Sequence, residues 1–418
     1  MLDVQAIRAQ FPSLSMTLQD GRPCVFLDAP AGTQVPRRVA EAVTNYLYTA
    51  NANSGGAFLT SRRSDAAVLE ARRAMADFLG APGPEAIVFG ANMTTLTFAV
   101  SRAIGRTLKP GDEILCTGLD HDGNISPWLA LEEERGVTVR FVNIVPEHGT
   151  LDLDDLERKL SSRTRLVAAT YASNALGTIN DVASIVSLAH QAGALAWIDA
   201  VHYAPHGLID VQELDCDFLV CSSYKFFGPH IGILYGKASH LQDLRPYKVR
   251  PAPDEIPDRW ETGTPNFECL AGVQAAVDYV ASLAPGRGDN RRERIVAAMA
   301  EVRAYERELS QRLIGGLLEL DGMNVYGIVE PEQFDHRAPT VACRLEGYTP
   351  RQVAERLGDE GIFVWDGNYY ALEVMKRLGL EEGGGAVRIG PVHYNTPEEI
   401  DRTLEVLREM VLRRPPRR

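Results

Sequence analysis

Between residues 86 and 235 the chain alternates short apolar runs with longer segments in which apolar positions recur every three or four residues. Ala86 to Phe89, Glu113 to Cys116, Val137 to Val145, Leu166 to Thr170, Ala194 to Asp199, Phe218 to Cys221 and Ile231 to Tyr235 read as strands. Thr94 to Ile104, Asn124 to Glu134, Leu153 to Leu160 and Val182 to Ala192 read as the helices between them. Strands that are apolar on both faces and alternate with helices predict an α/β fold. Its sheet is mostly parallel and covered on both sides.

The flanks have a different texture. Upstream, the pattern predicts a short amphipathic helix over Asp3 to Gln10 and a strand over Val25 to Asp28. Helices follow over Pro36 to Thr49 and Ser64 to Leu79, the second stopped by Gly80. Downstream of Gly263-Thr264-Pro265-Asn266, a helix over Ala271 to Leu283 is broken at Pro285-Gly286-Arg287-Gly288, and a long charged helix runs from Arg291 to Leu318. Short strands at Val341 to Arg344, Ile362 to Val364 and Ala386 to Ile389 then alternate with helices near Arg351 to Gly358 and Pro397 to Leu412. The division expected is an N-terminal segment (1–20) packing with the small domain, a large domain (21–283) and a smaller α+β C-terminal domain (284–418). The basic tail Arg413 to Arg418 reads as a solvated end.

Composition narrows the partners. The 418 residues are 45% hydrophobic and 24% charged, as in an ordinary globular protein, and carry a net charge of -13. That excess of acid argues against nucleic acid or an anionic membrane as the main partner. No apolar run approaches membrane-spanning length, and the first residues do not read as a signal peptide. Cys24, Cys116, Cys216, Cys221, Cys269 and Cys343 are scattered without metal-ligand spacing. Buried free thiols, no metal and a reducing cytoplasm are the expectation.

Candidate chemistry gathers at predicted strand ends, where ligands of open α/β sheets bind. Lys225 follows the run Phe218 to Cys221, inside Cys221-Ser222-Ser223-Tyr224-Lys225-Phe226-Phe227-Gly228-Pro229. Two readings of it stand: a desolvated neutral amine able to attack a carbonyl, or a packed stem whose ammonium reaches water. Asp199 ends another strand. His121 and Asn174 follow two more, and Gly90-Ala91-Asn92-Met93-Thr94 leads into a helix N-terminus suited to phosphate. Taken singly these are a turn carboxylate, a surface histidine, a turn residue and a helix cap. Together they meet the needs of a pyridine aldehyde cofactor: an amine for the aldehyde, a carboxylate for the ring nitrogen, a phosphate site and a flat group against the ring.

Ile198-Asp199-Ala200-Val201-His202-Tyr203 followed by Lys225-Phe226-Phe227-Gly228-Pro229 resembles the class V aminotransferases, pyridoxal-phosphate enzymes, and within them the cysteine-desulfurase-like branch. Asp120-His121-Asp122-Gly123-Asn124, Ser173 to Thr178, Glu261 to Asn266, and Arg388 with Tyr394-Asn395-Thr396 carry the same resemblance, from Leu27-Asp28 to the last helix. It implies the pyridoxal-phosphate transferase fold type I, with a seven-stranded sheet, and pyridoxal 5'-phosphate as cofactor. Lys225 would hold the cofactor aldehyde, Asp199 pair with the ring nitrogen and His121 stack on the ring. Asn174 and His202 would face the ring oxygen, His202 standing where relatives often carry glutamine. Asn92, Met93, Ser222 and Tyr224 would serve the phosphate. Tyr224 replaces a common histidine there, and Met93 offers only its backbone N–H. Thr264 would reach the phosphate of a neighbouring subunit, implying a homodimer with shared sites.

Arg388 interrupts the apolar strand Ala386 to Ile389. It reads either as a structural ion-pair residue or as a clamp for the carboxylate of an amino-acid substrate. One departure bears on the reaction. Persulfide-forming desulfurases carry a cysteine just after the strand matching Ile362 to Val364, but here the loop is Trp365-Asp366-Gly367-Asn368-Tyr369-Tyr370, with Tyr370 about where the thiol would stand. The expectation is therefore β-elimination with C–S cleavage and no persulfide cysteine. Transamination or epimerisation are the alternatives, and a cofactor-binding regulator that has lost catalysis is the non-enzymatic one. Tyr369 and Tyr370 are read equally as proton donors to a leaving group or as pocket walls, and the aromatic loop suggests a bulky or apolar substrate side chain.

Overall fold

The computed structural model describes residues 2–413; the residues from 414 onward in the basic tail lie outside them. Seven strands form the main sheet: β1 (Ile87–Gly90), β2 (Glu113–Thr117), β3 (Thr138–Val142), β4 (Thr164–Thr170), β5 (Leu195–Asp199), β6 (Phe218–Ser222) and β7 (Gly232–Gly236). Their order is β1-β7-β6-β5-β4-β2-β3. The pairs β6/β5, β5/β4, β4/β2 and β2/β3 are parallel, whereas β7 runs antiparallel to both β6 and β1. Every residue of β2, β6 and β7 is buried, as strands covered on both faces must be.

Tertiary packing moved several element ends. The helix expected from Ser64 begins at Leu59, because Ser61 and Ser64 turn inward to bond backbone carbonyls of residues 50–53. The run Val137 to Val145 divides: β3 ends at Val142, and Ile144–Val145 pairs instead with Thr150–Leu151 as a small hairpin. The helix expected from Asn124 starts at Ser126, with Pro127 in its first turn, after a 3-10 turn over Asp122–Asn124. The helix expected from Ala271 starts at Phe267, capped by the Asn266 side chain.

The C-terminal sheet has four strands. Met323–Tyr326, which the hydrophobic pattern did not reveal, pairs with Val341–Leu345; Ala386–Ile389 follows, and Trp365–Gly367 lies at the far edge. Early residues join this region: Val25–Phe26 pairs in parallel with Ile362–Phe363, and Asp28 bridges to Gly390. Of the first residues, Leu2, Ile7 and Phe11 pack into the core around the main sheet, while Arg8 pairs with Glu399 at 2.8 Å. The long helix Arg291–Leu318 lays its first half on the main core and its second half on the smaller one. Five cysteines are buried and Cys269 is half-buried, all free; Cys343 lies in the small core. Among the described residues no helix is long and apolar enough to cross a membrane.

Candidate active site

The stretch after β6 is fixed by small residues and aromatic packing. Ser223 donates its N–H to the Ile231 carbonyl at 2.9 Å, and Gly228 donates to the Ser223 carbonyl at 2.9 Å. Phe227, at φ 69°, donates its N–H to Thr33 Oγ1. Phe226 stacks on Phe78 with centroids 4.7 Å apart, and Phe227 meets His393 edge-on. Two buried phenyl rings thus anchor the turn that points Lys225 into a cavity of about 850 Å³. Lys225 Nζ donates to the Pro30 carbonyl. Burial, reinforced by the charge of Arg388 and opposed by that of Asp199, lowers its pKa to about 7. Its stem leads into the cavity, where the Pro30 carbonyl takes the amine.

Asp199 closes β5 and is 3% exposed; its Oδ1 accepts the Val201 N–H at 2.9 Å. Burial raises its carboxyl to about 6, while the Val201 bond and Lys225 hold it down. His121 follows β2 in a turn held by buried Asp120, which accepts from Thr117 and Asn124. His121 Nδ1 accepts the Gly123 N–H at 2.9 Å, so it carries no proton there. Burial, with Lys225 and Arg388 nearby, lowers its pKa to about 4. One face of the ring lies against Tyr370, centroids 5.6 Å apart.

Asn174 and Arg388 come together although 214 residues separate them: Arg388 donates to the Asn174 carbonyl at 2.9 Å. Asn174 Nδ2 donates in turn to the Tyr369 carbonyl at 2.9 Å. Arg388 is 4% exposed and lies 4.4 Å from the centroid of the Tyr369 ring. Burial lowers its pKa to about 10, with Tyr369 and Asp28 opposing. His202 is buried beside His206, which bonds Glu306 at 2.7 Å; burial holds the His202 imidazole well below its usual range.

At the end of β6, Ser222 Oγ accepts the Met93 N–H at 3.0 Å, so that N–H is engaged within the protein. Asn92 caps the helix Met93–Gly105 by accepting from Thr95 N at 2.9 Å. Gly232 permits this approach: a Cβ there would stand 2.3 Å from the Asn92 backbone. Tyr224 lines the cavity and stacks on His230, centroids 4.9 Å apart. Thr264 is exposed and belongs to a second hollow of about 820 Å³, shared with Asn53, Ser54 and Gly55, away from Lys225.

The structure adds wall residues that the sequence did not single out. Thr94 and Phe98 come from the helix Met93–Gly105, Ser126 from the next helix, and Asn368 from the aromatic loop. Their spacing on one helix face was the available signal for Thr94 and Phe98. Trp365 is half exposed at the rim. Tyr369 and Tyr370 both sit at φ 57°, a left-handed conformation costing roughly 1–2 kcal/mol per side-chain-bearing residue. Tyr369 donates its hydroxyl to the Ala386 carbonyl, so it is not free to protonate a leaving group. Tyr370, 73% exposed, lies over His121 and accepts the Asp122 N–H on its carbonyl at 2.6 Å.

Asn174 and Arg388, which line the cavity, each carry a buried polar atom without a partner, Oδ1 and Nε; His202 Nε2 and Asp28 Oδ1 are likewise unpartnered. A polar ligand or ordered water would satisfy them. A lysine whose amine is half deprotonated near neutrality, a buried carboxylate and a flat neutral imidazole fit pyridoxal phosphate. The fold and site define a pyridoxal-phosphate-dependent enzyme of fold type I. A family model described as aminotransferase class-V matches residues 25–403, and the chain belongs to that family. It is 34% identical over 415 residues to a probable cysteine desulfurase of Halalkalibacterium halodurans, the match covering 96% of each. It is 33% identical over 422 residues to a cysteine desulfurase of Synechococcus elongatus; that match covers 98% of this chain and 64% of the relative. The solved apo structure of a cysteine desulfurase from Thermococcus onnurineus NA1 is similar at a TM-score of 0.87 and 30% identity, over 99% of this chain and 98% of that one.

Proposed function

We propose that this enzyme is a C–S lyase: it removes the Cα proton of a cysteine derivative and expels the sulfur substituent from Cβ, without a persulfide on the protein. The composition of the cavity wall carries the reading. Its described residues include no cysteine, and the loop that closes it presents Trp365, Tyr369 and Tyr370. The relatives named as cysteine desulfurases support a sulfur-containing amino acid as substrate. The aromatic rim and Phe98 favour a bulky or apolar group on that sulfur.

Pyridoxal phosphate, when bound, supplies a protonated ring that withdraws electrons from the substrate Cα. Asp199 would keep the ring nitrogen protonated, and His121 would pack against the ring as a neutral imidazole. Asn174 and His202 would face the ring oxygen, with the Asn174 Nδ2 already given to the Tyr369 carbonyl and His202 Nε2 unpartnered. Ser222 and Tyr224 would serve the phosphate end beside Asn92, whereas Met93, its N–H already given to Ser222 Oγ, has no free donor to offer. Arg388 would bind the α-carboxylate in the cavity that Lys225 also lines. With a pKa near 7, Lys225 is free to take the Cα proton. Tyr370, beside His121 on the cavity wall, would border the departing sulfur. Thr264, exposed and remote from its own Lys225, completes the phosphate site of a second subunit in a homodimer. Residues 21–283 carry the cofactor, and the described residues from 284 to 413 close the substrate side.

The test is a panel of cysteine S-conjugates and free amino acids given to the holoenzyme. Elimination predicts equimolar thiol, pyruvate and ammonia, water being consumed in releasing the ammonia. A keto acid with the cofactor left as its amine would indicate transamination, and loss of optical rotation without product would indicate epimerisation. Catalytic persulfide formation from free cysteine would overturn the reading of residues 365–370.

A further inference from the structure

We infer that Tyr369 is the positioning residue of the carboxylate site: it sets the plane of Arg388 and the rotamer of Asn174 together. The inference rests on the reading of Arg388 as the carboxylate-binding group. Three contacts from one residue support it. The Tyr369 ring covers the Arg388 guanidinium at 4.4 Å, its carbonyl accepts from Asn174 Nδ2 at 2.9 Å, and its hydroxyl is anchored on the Ala386 carbonyl.

A guanidinium binds a carboxylate through its edge, in its own plane. An aromatic ring on its face leaves the edge free while restricting rotation about the long side chain. Arg388 has one terminal nitrogen committed to the Asn174 carbonyl, and its Nε, buried, has no partner. The unsatisfied edge is therefore the Nε side, which has the side-on fork geometry suited to the two carboxylate oxygens. Asn174 is held from both ends, its carbonyl by Arg388 and its amide by Tyr369, with Oδ1 left unpaired. Tyr369 thus joins the loop after Trp365–Gly367 to both polar groups. Its left-handed backbone is what brings ring and carbonyl to bear at once. Trp365, paired in register with Arg388 at the sheet edge, sets where that loop begins.

The test measures binding of propionate, a carboxylate without an amine, to the cofactor-loaded protein by calorimetry. Propylamine, an amine without a carboxylate, is the control, followed through the cofactor absorbance. Tyr369→Phe keeps the ring and is expected to bind propionate within about twofold of the parent. Tyr369→Leu is expected to weaken propionate by about 3- to 30-fold, the range of a partly desolvated cation–π contact, with propylamine unchanged. KM for the amino acid should rise by a similar factor, with a smaller change in kcat. Should the leucine variant not fold, Tyr369→Gln carries the same prediction. Arg388→Ala separates the two readings. If it binds propionate like the parent, the carboxylate assignment is wrong. If it loses binding while Tyr369→Leu keeps it, the role of Tyr369 is wrong.

Discussion

Replacing Lys225 by methionine tests whether the reactive amine is held in the fold at a cost. The side chains are similar in length, and methionine suits an apolar site. Lys225 titrates near 7 in the folded protein, against 10.5 for an unburied lysine. Its folded value is the lower one, so between pH 7 and 10.5 the unfolded chain binds more protons, and stability rises with pH in that window. Below pH 7 the full penalty is present. At about 1.36 kcal/mol per pH unit the penalty approaches 5 kcal/mol at pH 6 and falls to about 2 kcal/mol at pH 9. Loss of the amine's bond to the Pro30 carbonyl offsets roughly 1 kcal/mol of the gain on substitution. Cofactor-free Lys225→Met should therefore be more stable than the parent at pH 6, by up to about 4 kcal/mol. The advantage should shrink by about 3 kcal/mol at pH 9. Urea denaturation of both proteins at the two pH values checks this, because groups that do not feel the Lys225 charge cancel in the difference, and Asp199→Asn in both backgrounds removes the carboxyl that does. An advantage that did not change between pH 6 and 9 would falsify the view that Lys225 is buried with a depressed pKa.

Asp199→Asn removes the carboxylate expected at the ring nitrogen but keeps its size. Borohydride should still fix the cofactor to Lys225, while kcat falls by at least about 10²-fold, a loss comparable to that of one catalytic electrostatic group. Gly232→Ala forces a methyl group within 2.3 Å of the Asn92 backbone, which cannot move without disturbing the Met93–Ser222 bond. Stability should drop by about 1–3 kcal/mol, and equilibrium dialysis should show weaker cofactor retention. Arg337, 4% exposed, donates to the carbonyls of Leu176, Ile328, Ala338 and Thr340, joining the Asn174 loop to the C-terminal region. Arg337→Met should lower the urea midpoint by the equivalent of about 2–4 kcal/mol, as those carbonyls lose their donor. Equal midpoints would show that water replaces the guanidinium there.

The hydrophobic pattern alone determined the class of fold. Runs such as Phe218 to Cys221 are apolar on both faces, and only a sheet covered on both sides buries them. The ordered motifs around Asp199 and Lys225 also made the cofactor legible through their resemblance to the class V aminotransferases, because a strand end followed by a turn is a local feature. What is local in the chain is readable from the chain. Met323–Tyr326 was not, since its stability comes from pairing with Val341–Leu345 rather than from its own composition. Nor was the start of the helix at Leu59, which depends on Ser61 and Ser64 bonding carbonyls several residues away. The surroundings of Arg388 were least legible of all. The sequence offered an ion pair or a clamp, but only the folded chain brings Asn174 and Tyr369 to the same guanidinium. It also fixes the two tyrosines differently, one hydroxyl tied to a carbonyl and one ring exposed over His121. Adjacent residues with the same side chain differ in this way because left-handed backbone at both positions turns them apart, and that conformation is held by contacts from distant segments.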